Sequence, residues 1–301
     1  MRVAVTGSTG RLGSALVTAL AEAPFTGPRG PLAWTRADLD LDAPESVVTA
    51  LDRDRPEVVV HTAAWTDVDG CARDPDLAMR RNGMATGVLA TACAERGIDL
   101  VVISTNEVFD GLRTDGRGYE PTDEPLPPNP YGVSKRAGEL AAIAAFEAAQ
   151  GRGRIGIART AWLFGPPGRD FPRKILEAGA RAAAAGDPLP VVDDEWGTPT
   201  YAPDVADAIV ELLADDAHGG IHHLVSGPPA TRADWASDII DRFRLGTTIQ
   251  PVPAATWERA SSPPPWGVLA PTALPSGEPI REWSAAMAEY APLLRRVLAR
   301  P

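Results

Sequence analysis

Apolar residues in the first half of the chain gather into short unbroken runs instead of alternating with polar ones. Arg2-Val3-Ala4-Val5, Leu32–Thr35, Val58–Thr62, Leu100–Ser104 and Ile155–Ala158 are such runs. A strand apolar on both sides of its pleat is buried on both faces, which is the habit of parallel sheets. Longer stretches of helical composition lie between or beyond them: 14–21, a single long helix over 76–95, 130–149 and 202–213. Strands alternating with helices predict an α/β fold, a Rossmann-like doubly wound parallel sheet. The second half is less regular. Residues 251–279 are rich in proline and serine, with Trp257, Trp266 and Trp283 in or near them, and read as an ordered loop region. The expected organisation is a nucleotide-binding Rossmann domain over 1–160, to which 198–225 return. A smaller C-terminal α/β lobe over 161–197 and 226–301 would bind substrate.

The first strand runs straight into Thr6-Gly7-Ser8-Thr9-Gly10-Arg11-Leu12-Gly13, and a helix follows. Strand, glycine turn and helix together give a glycine pattern its meaning. Gly7 suits a tight turn, Gly10 the approach of a pyrophosphate, and Gly13 close packing of helix on strand, with free N–H groups at the helix start facing the phosphates. The second strand ends at Arg36, where dinucleotide folds place an acidic residue for a ribose 2′-hydroxyl or an arginine for a 2′-phosphate. Arg36, with Arg11 in the loop, favours NADPH, although both also read as solvated surface arginines. Asp38 and Asp40 follow closely and leave NADH use open.

Asn129-Pro130-Tyr131-Gly132-Val133-Ser134-Lys135 opens another helix, and Tyr131 and Lys135, four apart, share one face. A free phenol has a pKa of ~10. An ammonium beside it would lower that value and make Tyr131 a usable acid or base. The remaining composition narrows the partners. The net charge of −11 argues against nucleic acid. No apolar run approaches the ~20 residues of a membrane span, and no signal peptide is visible. Two cysteines, Cys71 and Cys93, and four scattered histidines give no metal spacing, so a reducing cytoplasm and no metal are expected.

Taken in order, these motifs identify the chain as similar to the extended short-chain dehydrogenase/reductases, and to their dTDP-4-dehydrorhamnose reductase branch. The segments that carry the resemblance are His61-Thr62-Ala63-Ala64-Trp65-Thr66-Asp67-Val68-Asp69, Ser104-Thr105-Asn106-Glu107-Val108-Phe109-Asp110-Gly111 and Tyr131-Gly132-Val133-Ser134-Lys135-Arg136-Ala137-Gly138-Glu139. Arg159-Thr160-Ala161-Trp162-Leu163-Phe164-Gly165 and Val192–Thr200 add to them, so that the match runs over residues 1–215. The resemblance implies NAD(P)H-dependent reduction of the 4-keto group of a dTDP-linked 4-keto-6-deoxyhexose. Thr105, Tyr131 and Lys135 would be catalytic. Gly7, Thr9, Gly10, Arg11, Leu12, Gly13, Arg36, Ala63, Ala64, Tyr131 and Lys135 would hold the cofactor. Trp65, Asn82, Thr105, Asn106, Glu107 and Trp162 would meet the substrate, although Trp162 reads equally as core and Asn82 as a helix-surface amide. A homodimer is compatible with the family.

Two departures fall on the substrate side. Asn106-Glu107 stands where the family has Asp-Tyr, and 261–267 replace an Arg-Pro-x-x-Ser-type run. Asn106-Glu107 half-resembles the acid–base pair of dehydratases, so a sugar-nucleotide epimerase or dehydratase is the second reading. A non-catalytic NADP-binding subunit is the third, and the intact Thr105, Tyr131 and Lys135 speak against it.

Overall fold

The computed structural model describes residues 1–28 and 30–298. The chain opens with β1 (Val3–Thr6), α1 (Arg11–Glu22), β2 (Leu32–Ala33), α2 (Val47–Asp54) and β3 (Val58–His61). Two short helices follow, α3 (Val68–Arg73) and α4 (Pro75–Ala78), then a π-helical turn (Met79–Met84), α5 (Ala85–Arg96) and β4 (Asp99–Thr105). Next come α6 (Pro130–Ala148), β5 (Ile155–Thr160), β6 (Leu163–Phe164), α7 (Phe171–Ala185), β7 (Leu189–Val192), β8 (Trp196–Gly197) and β9 (Thr200–Tyr201). The chain ends through α8 (Ala202–Ala214), β10 (Gly220–His223), β11 (Ala230–Thr231), α9 (Arg232–Phe243), β12 (Ile249–Val252) and α10 (Trp283–Leu298).

Six parallel strands form the main sheet in the order β10-β5-β4-β3-β1-β2. Four of the five unbroken apolar runs are its central strands, buried on both faces, whereas Leu32–Ala33 is the short, less buried edge strand β2. One face is covered by α1 and α8, with Leu12, Leu16 and Leu20 of α1 spaced four apart against Val205, Ile209 and Leu212. The other face is covered by α2, α5 and α6 through Leu51, Leu89, Cys93, Ala142 and Phe146. After β2 the chain crosses back over β1 to β3, so strand order reverses between β1 and β3. A crevice opens there at the carboxyl ends of the strands, where such sheets bind their ligands. A second core gathers α7, α9, α10 and β7 around Trp235, Ile239, Tyr290 and Leu294. Trp162, beside the end of β5, packs against its edge.

Two sequence expectations are corrected here. Residues 76–95 are not one α-helix. The hydrogen-bond pattern widens to π over Met79–Met84 before α5 begins, and this turn carries Asn82, buried, inward. Residues 249–252, in part assigned to loop, form a strand that pairs in parallel with β7. Its proline, Pro251, hides the pattern, but a two-stranded sheet leaves each strand an edge where proline is tolerated. The rest of 251–279 is loop, tied to the body by bridges between Tyr119 and Leu269 and between Trp196 and Trp266.

Candidate active site

The glycine loop is built as its spacing requires. Gly7 adopts φ +61°, which a side chain rarely tolerates, and a Cβ on Gly13 would lie 2.2 Å from the Gly7 carbonyl oxygen. Gly10 is the N-cap of α1 and offers no side-chain cap, so the first N–H groups of the helix are free to meet an anion. This cradle fits a dinucleotide pyrophosphate. Beside it is a chamber lined by Gly7, Thr9, Gly10, Arg36, Asp40, Asp42, Ala63, Ala64, Trp65 and Arg81. Arg36 is exposed and meets Asp42 at 2.9 Å and Asp40 at 3.2 Å. Asp42 is also gripped by Arg81 through two bonds of 2.6 and 2.7 Å. Asp40 was noted in the sequence, whereas Leu39, Asp42 and Arg81 were not, and the alternation of 39–42 was a trace only of Leu39 and Asp42.

A second chamber continues from Gly10, Arg11, Leu12 and Gly13 to Ser104, Thr105, Asn106, Glu107, Tyr131, Lys135, Thr160 and Trp162. The parallel register sets Thr105, last in β4, beside Thr160, last in β5. Asn129 caps α6 by accepting from Gly132 N–H at 2.9 Å, and this fixes the turn that presents Tyr131. The Tyr131 phenol lines the same chamber as Thr105 and lies in the field of Glu107. Arg11 turns its guanidinium to the Gly165 carbonyl, 2.7 Å away, and lines this chamber instead of the one that holds Arg36.

The expected coupling of Lys135 to Tyr131 is corrected. The Lys135 ammonium is buried and donates to the Ile103 carbonyl at 2.7 Å. Burial brings its pKa down to about 8, against an opposing pull from the Glu139 carboxylate. Tyr131 is pushed above the ordinary phenol value by burial first and by the Glu107 charge second, and only its hydrogen bond to Thr105 acts the other way. The two residues share a helical face, but the lysine amine is spent on the Ile103 carbonyl of β4 and the phenol pKa is not lowered.

Two expected substrate contacts also lie elsewhere. Asn82 stands behind the wall of the cleft, with its amide spent on the Trp65 backbone (2.8 and 3.0 Å) and on Ser134 (3.1 Å). Trp65, held by those bonds and covered by Arg81, lines the Arg36 chamber and not the one holding Glu107. Behind them His61 bridges Thr6 at 2.8 Å and Thr86 at 3.3 Å, and burial lowers its pKa to about 3, so it is a neutral strut.

A third chamber adjoins Asn106, Glu107 and Trp162 and adds Lys174, Glu195, Arg232 and Arg259. Arg232, the first residue of α9, lies 3.5 Å from the Trp162 ring centre, and burial lowers its pKa to about 10. Its helix starts with a capping box, Thr231 and Asp234, a signal that sequence reasoning left unread. Trp162 adopts a left-handed φ of 43° and lies against Gly197, which places its ring between the main sheet and the second core.

Residues 1–295 match the family model described as RmlD substrate binding domain. A dTDP-4-keto-6-deoxy-D-glucose reductase of Streptomyces niveus is 36% identical over 297 residues, covering 96% of each chain. The crystal structure of a dTDP-4-dehydrorhamnose reductase from Clostridium acetobutylicum superposes with a TM-score of 0.87 at 29% identity, covering 98% of this chain and all of that one. The Bacillus anthracis dTDP-4-dehydrorhamnose reductase in complex with NADP gives 0.84 at 26%, covering 97% and 99%. A cofactor cradle, a threonine–tyrosine–lysine cleft and near full-length similarity thus converge, and the chain belongs to the dTDP-4-dehydrorhamnose reductase family.

Proposed function

We propose that this protein is an NADPH-dependent oxidoreductase that reduces the 4-keto group of a dTDP-linked 4-keto-6-deoxyhexose. The observation that carries this reading is Thr105 and Tyr131 facing one another in a chamber continuous with the glycine loop. A bound reduced nicotinamide supplies the hydride that the carbonyl carbon takes up. The chain's own residues supply the rest. Thr105 donates a hydrogen bond to the carbonyl oxygen, where negative charge develops. Tyr131 gives that oxygen its proton as the C=O bond becomes C–OH. Burial keeps the phenol protonated, so the proton is present before reaction. Lys135 presents its ammonium to the cofactor ribose. Arg232, Arg259 and Lys174 in the adjoining chamber are the cations placed to face a sugar-linked diphosphate, and the second core supplies the substrate lobe that carries them. Arg36 faces the 2′-phosphate that distinguishes NADPH from NADH.

The test follows absorbance as NADPH is consumed with a panel of dTDP-4-keto-6-deoxyhexoses. Tyr131→Phe should lower the rate by about 10²–10⁴-fold while NADPH affinity stays within threefold, because the proton is needed only during reaction. Retention of more than a tenth of the wild-type rate would remove Tyr131 as the acid.

A further inference from the structure

Glu107 is the anomaly of the site. It sits inside the cleft on the turn that follows Thr105. One carboxylate oxygen, Oε2, accepts from Asn129 at 2.7 Å, and Asn129 is fixed in turn as the cap of α6 and by a 3.2 Å bond to the Ser262 carbonyl. Among the described residues no lysine or arginine forms an ion pair with Glu107. The neighbouring cations are engaged elsewhere, Arg259 with Glu195, and Arg232 on the Trp162 ring with Glu195 4.0 Å away. A sheltered carboxylate is normally paired with a cation or neutralised. Oε1 accepts no hydrogen bond from the protein among the described residues and opens to the cleft, where half-buried Glu107 and Arg232 both line the Tyr131 chamber and its neighbour.

Resting on the proposed reductase function, we infer that the missing cation comes with the substrate, and that Glu107 selects a 4-keto hexose bearing an amino group on the ring. The placement favours the sugar over the diphosphate, because a carboxylate repels phosphate and Glu107 lies at the Thr105–Tyr131 end of the cleft. An ammonium there would supply both the charge and the hydrogen-bond donor that Oε1 lacks, whereas a hydroxyl supplies only the donor.

The experiment compares two dTDP-4-keto-6-deoxyhexoses that differ only in amino against hydroxyl at the carbon beside the carbonyl. Activity is read as NADPH consumption with wild type, Glu107→Gln and Glu107→Tyr. The expected wild-type kcat/KM ratio, amino over hydroxyl, is at least tenfold, falling at least tenfold in Glu107→Gln and inverting in Glu107→Tyr. A wild-type ratio at or below one, or a ratio that neither variant moves, overturns the inference. Calorimetry with the corresponding dTDP-linked amino and hydroxy alcohols and the NADP⁺-loaded enzyme decides the point independently of turnover. Tighter amino-sugar binding that Glu107→Gln abolishes supports the selection even if no ketone is reduced, in which case the reductase reading alone falls. Equal affinities for the two alcohols overturn the selection.

Discussion

Lys135 shows how one side chain links pH to both rate and stability. Its amine is buried at 2.7 Å from the Ile103 carbonyl, and burial lowers its pKa from the ordinary 10.5 to about 8. Between these values the unfolded chain holds the proton and the folded one does not. Lys135 therefore adds stability as pH rises from about 8 towards 10.5, and below that window its buried charge is a constant cost. The rate should move the opposite way, because the charge proposed to meet the cofactor ribose is lost above the folded pKa. We expect kcat/KM for NADPH, which reports the free enzyme, to fall with a midpoint near pH 8. Over the same range denaturant midpoints should rise, after allowance for other groups. Lys135→Met should abolish both limbs along with most of the activity. An alkaline limb unchanged in that variant would assign it to another group. Sequence spacing correctly placed Tyr131 and Lys135 on one helix, but the direction of each side chain is set by what it meets in the sheet. That is why the direction of the Tyr131 pKa shift was not legible.

At the scale of elements, the site depends on how closely helices approach strand ends. A Cβ added to Gly132 would stand 2.0 Å from the Glu107 carbonyl oxygen, so α6 lies against the turn after β4 only because that position is glycine. Gly132→Ala must push apart the two segments that carry Tyr131 and Thr105. The expected outcome is a stability loss of about 1–3 kcal/mol, typical of overpacking. It should come with a fall in kcat of tenfold or more, while NADPH affinity, set by the distant glycine loop, changes little. Chemical denaturation and steady-state kinetics on the same preparation check this, and an unchanged kcat would show that the helix accommodates the methyl by other means. The strands and helices of the main sheet were legible because burial on both faces leaves a plain apolar run, as in Val58–His61. The π-turn at Met79–Met84 was not, since one extra residue in a helix leaves composition unchanged and shows only in where Asn82 points. β12 was masked by a proline, Pro251, that an edge strand tolerates.

At the scale of the whole molecule, an acidic chain with a net charge of −11 must bind an anionic cofactor, and it does so by local arrangement. The glycine loop was legible in the sequence, because backbone geometry requires glycine there. The sequence marked the substrate end poorly, because Lys174, Glu195, Arg232 and Arg259 are brought together only by the packing of α7, α9 and the loops around β8 and β12. Cofactor choice is where the two ends of the argument meet in a measurable quantity. Arg36 is exposed and paired with Asp40 and Asp42, so its guanidinium must turn from them to reach a 2′-phosphate. That exchange is cheap for Asp42, because Arg81 already holds both of its oxygens. Binding to the folded state alone stabilises by about 2.7 kcal/mol at a hundredfold excess over Kd. At equal concentrations NADP⁺ should therefore raise the Tm by several degrees, and NAD⁺ by clearly less. In Arg36→Ala the two shifts should become equal through loss of the NADP⁺ effect. In Arg81→Ala, Asp42 loses its second partner and competes harder for Arg36, so the NADP⁺ advantage should shrink without vanishing. If Arg36→Ala leaves the difference between the two shifts intact, Arg36 is a surface ion-pair partner and the discrimination resides elsewhere in the chamber.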